Sequence, residues 1–160
     1  MFFSRDETPA NRPLLIFVLI AVLVCASATV FTEPSIPTWY AALNKPSFNP
    51  PNWIFAPVWT TLYVLMGVAA GRIWKRCGFG IEIRFWAGQL VLNFLWSLIF
   101  FQQHMIGTAL IDIAVLWLLI AATLVLFWRR DRLAGMLLIP YLAWVSFASA
   151  LNLAIWQLNG

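Results

Sequence analysis

Five stretches of this chain run for about seventeen to twenty-five residues with almost no charge: roughly 13–32, 53–74, 85–101, 105–128 and 133–157. A helix needs about 20 apolar residues to cross the hydrocarbon of a bilayer. The alternation that marks a membrane β-barrel is absent, and no period of about 20–50 residues repeats along the chain. The sequence is 62% hydrophobic and 10% charged, whereas a soluble domain carries about 25% charged residues. A chain this poor in charge cannot cover its own surface with polar groups in water. The expectation is an all-α integral membrane protein, a five-transmembrane-helix bundle whose first partner is the lipid bilayer.

The basic residues give the bundle a direction. With the N-terminus on the cytoplasmic side, that side carries Arg5, Arg12, Arg72, Lys75, Arg76, Arg84, Arg129, Arg130 and Arg132, and the other carries Lys45 alone. Cytoplasmic loops collect Lys and Arg, so the split predicts N-terminus inside and C-terminus outside. It favours a bacterial inner membrane as the cell membrane concerned, an organelle being the alternative. Residues 1–12 read as a cytoplasmic tail and 13–158 as the membrane domain. Arg5, Arg12 and the Ala-Ser-Ala at 26–28 imitate a signal peptide. The apolar run is longer than the usual 7–15 residues of such a region, so the first span is expected to be retained.

The segment 33–52 is the longest loop on the outer side, and it is unusual. It carries Pro34, Pro37, Pro46, Pro50 and Pro51 together with Trp39, Tyr40 and Phe48. Prolines fix φ and remove donors, while a flexible linker would be rich in Gly and Ser. A stiff aromatic segment reads as a cap over whatever the helices enclose.

Polar side chains inside a span are costly and face a partner or a cavity. Gln89, Asn93 and Ser97 recur every fourth residue, on one face of the third span, and Phe100 extends that face. Phe55, Trp59 and Tyr63 align likewise in the second span, and Trp144, Ala148 and Asn152 in the fifth. The directions of the spans bring Trp59, Tyr63, Ser97, Phe100, Ala148 and Asn152 to the outer half, beneath the proline-rich loop. An aromatic-walled slot floored by small and amide side chains has the character of a ligand pocket. The competing reading is plain packing, because small and amide residues also hold transmembrane helices together. For Asn93 and Gln89 taken alone, packing is the better-supported role. Asp112 reads as a structural hydrogen-bonding group ahead of a proton relay, and Pro140 as a bend in the fifth helix.

Other classes find little support. Most of the net charge of +4 lies beside apolar runs as a topology signal, so nucleic acid is not an expected partner. Cys25 and Cys77 have no disulfide or metal spacing, and one histidine, His104, cannot build a metal cluster.

The ordered motifs WYAALNKPSFNPPNWIFAPVWTTLYVLMG (39–67), QLVLNFLWSLIFF (89–101), ALIDIAVLW (109–117) and IPYLAWVSFASALN (139–152) resemble the TspO/MBR family of tryptophan-rich sensory and translocator proteins. The resemblance runs from about Trp39 to Trp156. It implies a five-helix bundle, often a homodimer, that binds porphyrins such as protoporphyrin IX and haem under the first loop. On matching motifs, Tyr40 is the loop tyrosine over the pocket, Trp59 and Trp144 are wall tryptophans, and Ala148 is the small residue that keeps it open. Asn93, Ser97 and Phe100 match third-helix positions that face it. Porphyrin or haem enters as ligand, and no cofactor is required. Two roles stand open for Lys45, meeting a porphyrin carboxylate at the mouth or snorkelling to headgroups.

This sequence departs from the family in two places. Phe48 stands where relatives often carry tryptophan, and Leu153 and Gln157 replace the Tyr and Arg of the cholesterol signature. The leading expectation is a membrane protein that binds tetrapyrroles to sense or regulate their level. The alternatives are light-dependent degradation of protoporphyrin, with Trp59 and Trp144 as electron donors, and transport of porphyrin or lipid. No catalytic dyad or activated nucleophile is visible, so no catalytic residue is assigned.

Overall fold

A computed structural model describes residues 11–160; Arg5 and most of the N-terminal tail lie outside that range. Six α-helices build five spans. They are α1 (Arg12–Thr32), α2 (Phe55–Cys77), α3 (Ile81–Ser97), α4 (Ile106–Arg130), α5 (Arg132–Leu137) and α6 (Ile139–Asn159). With short helical extensions, Arg12–Tyr40, Asn52–Cys77, Ile81–Gln102, Ile106–Arg130 and Arg132–Asn159 are each long and apolar enough to cross a membrane. Among the described residues there is no β-strand.

The bounds differ from expectation where proline and charge misled. Helical structure does not stop near residue 32. It continues as a 3-10 turn, Glu33–Ser35, and a π-helical turn, Ile36–Tyr40. Pro34 and Pro37 fall within the first two positions of these turns, and each withholds an N–H from the preceding turn of the continuing helix. The prolines therefore change the helical pitch without ending the helix, and the irregular loop shrinks to about residues 43–51. α3 starts at Ile81, earlier than expected, because Glu82 is accommodated inside it by Arg130 Nε at 2.8 Å. Pro140 does more than bend the last span. α5 ends at Leu137 and α6 begins at Ile139. The Met136 carbonyl, deprived by Pro140 of its helical donor, accepts from the Leu138 N–H.

α2 packs along α1, α3 against α4, and α4 against α5 and α6. The closest seam joins α1 and α2. A Cβ on Gly67 would lie 2.4 Å from Val18 Cα, and one on Gly71 would lie 2.7 Å from Leu14 Cα. Small residues permit such approach where lipid supplies no hydrophobic drive between helices. Met66, Ala69, Ala70, Ile73, Ile113, Leu116 and Ile120 are buried between the helices. Leu15, Leu19, Ile111 and Leu118, all more than half exposed, face outward, as lipid-facing residues should.

The two ends differ in chemistry. One end gathers the charges: Asp131 Oδ2 accepts from Arg72 Nε at 2.8 Å and lies 3.1 Å from Arg76 Nε. Asp131 also caps α5 by accepting from the Leu133 N–H. Burial pushes the Asp131 carboxyl up, but the Arg72 hydrogen bond and the charges of Arg72 and Arg76 outweigh it and hold the group below its ordinary 3.8. The opposite end holds the proline-rich loop and the cavity.

Candidate functional site

A cavity of about 390 Å³ lies beneath the loop, walled by α1, α2, α3 and α6. The four-residue spacing read from the sequence puts Trp59 and Tyr63 side by side on α2, ring centroids 6.0 Å apart. Trp144, Ala148 and Asn152 form the α6 wall, and Trp144 stands edge-on to Trp59 at 6.5 Å and 89°. α3 contributes Asn93, Trp96 and Ser97. Beyond Ser97 the helix widens into a π-turn, Leu98–Gln102. In an α-helix, adjacent residues diverge by about 100°; here Phe100 and Phe101 both reach the lining. Ser35 Oγ donates to the Phe101 carbonyl at 2.6 Å, joining this π-turn to the 3-10 turn Glu33–Ser35.

The lid is held at several points. Tyr40 Oη donates to Asn49 Oδ1 at 2.8 Å, and Phe48 meets Phe147 edge-on at 6.2 Å. Asn44 and Asn159 exchange two hydrogen bonds, 3.0 and 2.9 Å, tying the loop to the end of α6. The amides serve both packing and lining. Asn93 Nδ2 donates to Tyr141 Oη at 2.9 Å. Asn152 accepts from Trp96 Nε1 at 3.0 Å and donates to the Ile106 carbonyl at 3.1 Å.

Two lining groups lack partners. The Tyr63 hydroxyl and the Trp144 indole N–H are buried and make no hydrogen bond among the described residues. A buried donor left unpaired costs about 1–3 kcal/mol, so a polar atom brought into the cavity has something to gain there.

Nine of the ten sequence-derived candidates line the cavity: Tyr40, Trp59, Tyr63, Asn93, Ser97, Phe100, Trp144, Ala148 and Asn152. Lys45 does not. Its ammonium donates to the carbonyls of Tyr40 (2.7 Å), Leu43 (3.0 Å) and Ala41 (3.3 Å), and sits 4.9 Å from the Tyr40 ring centroid. It caps the end of the first helical run. Gln89 is also off the lining, fully buried, with neither amide atom bonded. Asp112 lies off it too, and its Oδ2 makes no hydrogen bond.

Sequence reasoning assigned nothing from the first span, yet Cys25, Ala28, Thr29 and Thr32 form a whole wall. Their three- and four-residue spacing marks one helix face and was the available signal. Thr29 and Thr32 turn their hydroxyls back onto carbonyls four residues earlier, at 3.0 Å each, so this wall is effectively apolar. Trp53 and Trp96 were also missed.

Five apolar spans, four of which wall an aromatic cavity, define a multi-pass membrane protein of five-helix-bundle type. The family model described as "TspO/MBR family" matches residues 16–157, and the chain belongs to that family. It is 40% identical over 154 residues to Protein CrtK of Rhodobacter capsulatus, covering 91% of this chain and 92% of that protein. It is 40% identical over 149 residues to the tryptophan-rich sensory protein of Cereibacter sphaeroides, covering 93% and 94%. The human translocator protein is 39% identical over 156 residues, covering 94% and 92%.

Proposed function

We propose that this protein binds a flat tetrapyrrole, protoporphyrin IX or haem, in the cavity beneath its first loop and acts as a sensor or regulator of tetrapyrrole level. The observation that carries this reading is an aromatic cavity holding two unpaired donors, the Tyr63 hydroxyl and the Trp144 N–H. Indole and phenyl faces stack on an apolar disc, while the two donors offer hydrogen bonds to its polar atoms. The word "sensory" in the name of the Cereibacter relative agrees with a regulatory role. The same reading places the protein in the cell membrane as a homodimer, N-terminus in the cytoplasm and C-terminus outside.

The test is a titration of the purified protein with protoporphyrin IX in the dark, followed by tryptophan quenching. Saturable one-to-one quenching that weakens sharply in Trp144→Ala supports the proposal. Non-saturable quenching, the same in wild type and variant, overturns it.

One observation favours a second reading, light-dependent degradation of the bound porphyrin. Trp59 lies 6.5 Å from Trp144 and 6.0 Å from Tyr63, so three oxidisable rings adjoin within one cavity. Illumination of the complex tests it: bleaching no faster than that of free porphyrin removes this reading and leaves the first intact.

A further inference from the structure

The α1–α2 contact changes character along its length. Towards the charged end it is closed backbone to backbone, with Gly67 against Val18 and Gly71 against Leu14. Carried outward four residues at a time, the same antiparallel register sets Cys25 against Thr60 and Thr29 against Ala56. Glu33 and Asn52 continue the two edges. All six line the cavity, and all but Cys25 are exposed. The seam therefore gives way to a slit, and the opening of the cavity lies sideways, between α1 and α2, with Trp53 and Ala56 on its rim.

The depth of the slit decides what it faces. Counted from Arg72 at the arginine–aspartate cluster, Thr60 lies about 18 Å along the span and Ala56 about 24 Å, at 1.5 Å per residue. The hydrocarbon of a bilayer is about 30 Å thick, so both stand within it, in the half away from the cluster. The edges suit that surrounding. Thr29 and Thr60 turn their hydroxyls onto the carbonyls of Cys25 (3.0 Å) and Ala56 (2.8 Å), so neither offers a free donor. The charged Glu33 stands at the outer end, about 30 Å along the first span from Arg12, where hydrocarbon gives way to headgroups.

The loop side is shut by contrast. Tyr40, Phe100, Leu151 and Ile155 cluster beneath the loop, line the cavity and are each 6% exposed or less. Above them the lid is held by the Tyr40–Asn49 and Asn44–Asn159 hydrogen bonds, and Lys45 is committed to three backbone carbonyls. Passage through the loop breaks these bonds. Passage through the slit breaks none of them.

We infer that the α1–α2 slit is the way in for the ligand: the protein takes its tetrapyrrole laterally, already dissolved in the bilayer, and not from water through the loop. This inference rests on the tetrapyrrole reading above and adds to it the source of the ligand. A flat apolar disc in hydrocarbon meets two antiparallel helix edges and passes between them edge-on. Beyond them lies Tyr63, one turn from Thr60 on α2, with its hydroxyl unpaired.

Two staples separate the routes. In a Cys25→Ala, Cys77→Ser background, Thr29→Cys with Ala56→Cys spans the slit, and Asn44→Cys with Asn159→Cys spans the lid. Each pair is bridged by a short thiol-reactive linker that a reductant cleaves. Protoporphyrin IX is added in the dark to each protein in phosphatidylcholine nanodiscs, and tryptophan quenching is followed in time and at equilibrium. The slit staple is expected to lower the association and dissociation rates together by about ten-fold or more, as gated access does, with Kd changed by less than about two-fold. Cleaving the linker restores both rates, and the lid staple leaves them unchanged. Ala56→Trp, which fills the slit without a reagent, slows both rates in the same sense; Ile111→Trp, at a 68% exposed position on α4, does not. Unchanged rates with the slit bridged and in Ala56→Trp, or equal slowing by the lid staple, overturn the lateral route and leave the tetrapyrrole reading standing. Failure of quenching to saturate in the unbridged proteins overturns the two together.

Discussion

Trp96 donates its indole N–H to Asn152 Oδ1 at 3.0 Å, and the other end of the same amide donates to the Ile106 carbonyl at 3.1 Å. One buried side chain on α6 thus joins α3 to the start of α4 while also lining the cavity. Interhelical hydrogen bonds in membranes are worth about 0.6 kcal/mol on average and up to about 1.7. Asn152→Leu loses two of them and leaves the indole N–H unpaired. The expected loss is about 1–2 kcal/mol, read as a lowered Tm in detergent. A Tm equal to that of wild type would show that the amide is not a structural tie.

The α1–α2 seam makes a sharper prediction about packing. Gly67→Ala places a methyl 2.4 Å from the Val18 backbone, which cannot move aside without separating the helices. Gly88→Ala meets only the end of a flexible side chain, Leu119 Cδ2, at 3.1 Å. Overpacking costs about 1–3 kcal/mol, so Gly67→Ala is expected to lose about that much while Gly88→Ala changes stability little. Equal thermal shifts for the two variants would contradict the seam.

Tyr63→Phe separates binding from stability. Its hydroxyl has no partner among the described residues, so removing it relieves an unsatisfied donor and leaves Tm unchanged or slightly raised. If a ligand atom satisfies that hydroxyl, porphyrin affinity falls about five- to ten-fold. Wild-type affinity in this variant would remove Tyr63 from the binding set.

Asp131 governs the acid limb of stability. Its carboxyl is held below its ordinary 3.8 in the folded protein. Ionised, it contributes stability that is fully present above that value and is lost as pH falls through the lower, folded one. Breaking a buried pair costs about 3–5 kcal/mol. Arg72 and Arg76 are 31% and 56% exposed, which reduces the expectation for Asp131→Asn to about 2 kcal/mol at neutral pH. Thermal unfolding from pH 7 downwards should show wild type and variant converging below about pH 4. Parallel curves over that range would count against the assignment.

Much of this architecture was legible because a bilayer imposes coarse rules. Length and lack of charge marked all five spans, and a four-residue period marked three of the four cavity walls. What escaped notice has physical causes. The α1 wall is made of Cys25, Ala28, Thr29 and Thr32, whose small or self-bonded side chains look like ordinary lipid-facing residues until α2 is placed opposite. The π-turns at Ile36–Tyr40 and Leu98–Gln102 have no compositional mark, yet one of them brings Phe101 onto the lining. The capping contacts of Lys45 were not legible because its partners are main-chain carbonyls whose direction depends on where the helix ends, and two prolines had moved that end.

The glycine seam carries a mechanical consequence. Gly67 and Gly71 clamp α2 to α1 towards the charged end, while the rim residues Ala56, on α2, and Trp53, in the 3-10 turn before it, sit more than ten residues away along the same span. At 1.5 Å per residue that arm is about 20 Å long, so a tilt of about 8° around the seam moves the rim by roughly 3 Å. Any rocking about this seam would be magnified at the opening and small at the arginine–aspartate cluster. The fulcrum sits where packing is tightest, so the aperture can breathe while the opposite face of the membrane keeps its shape.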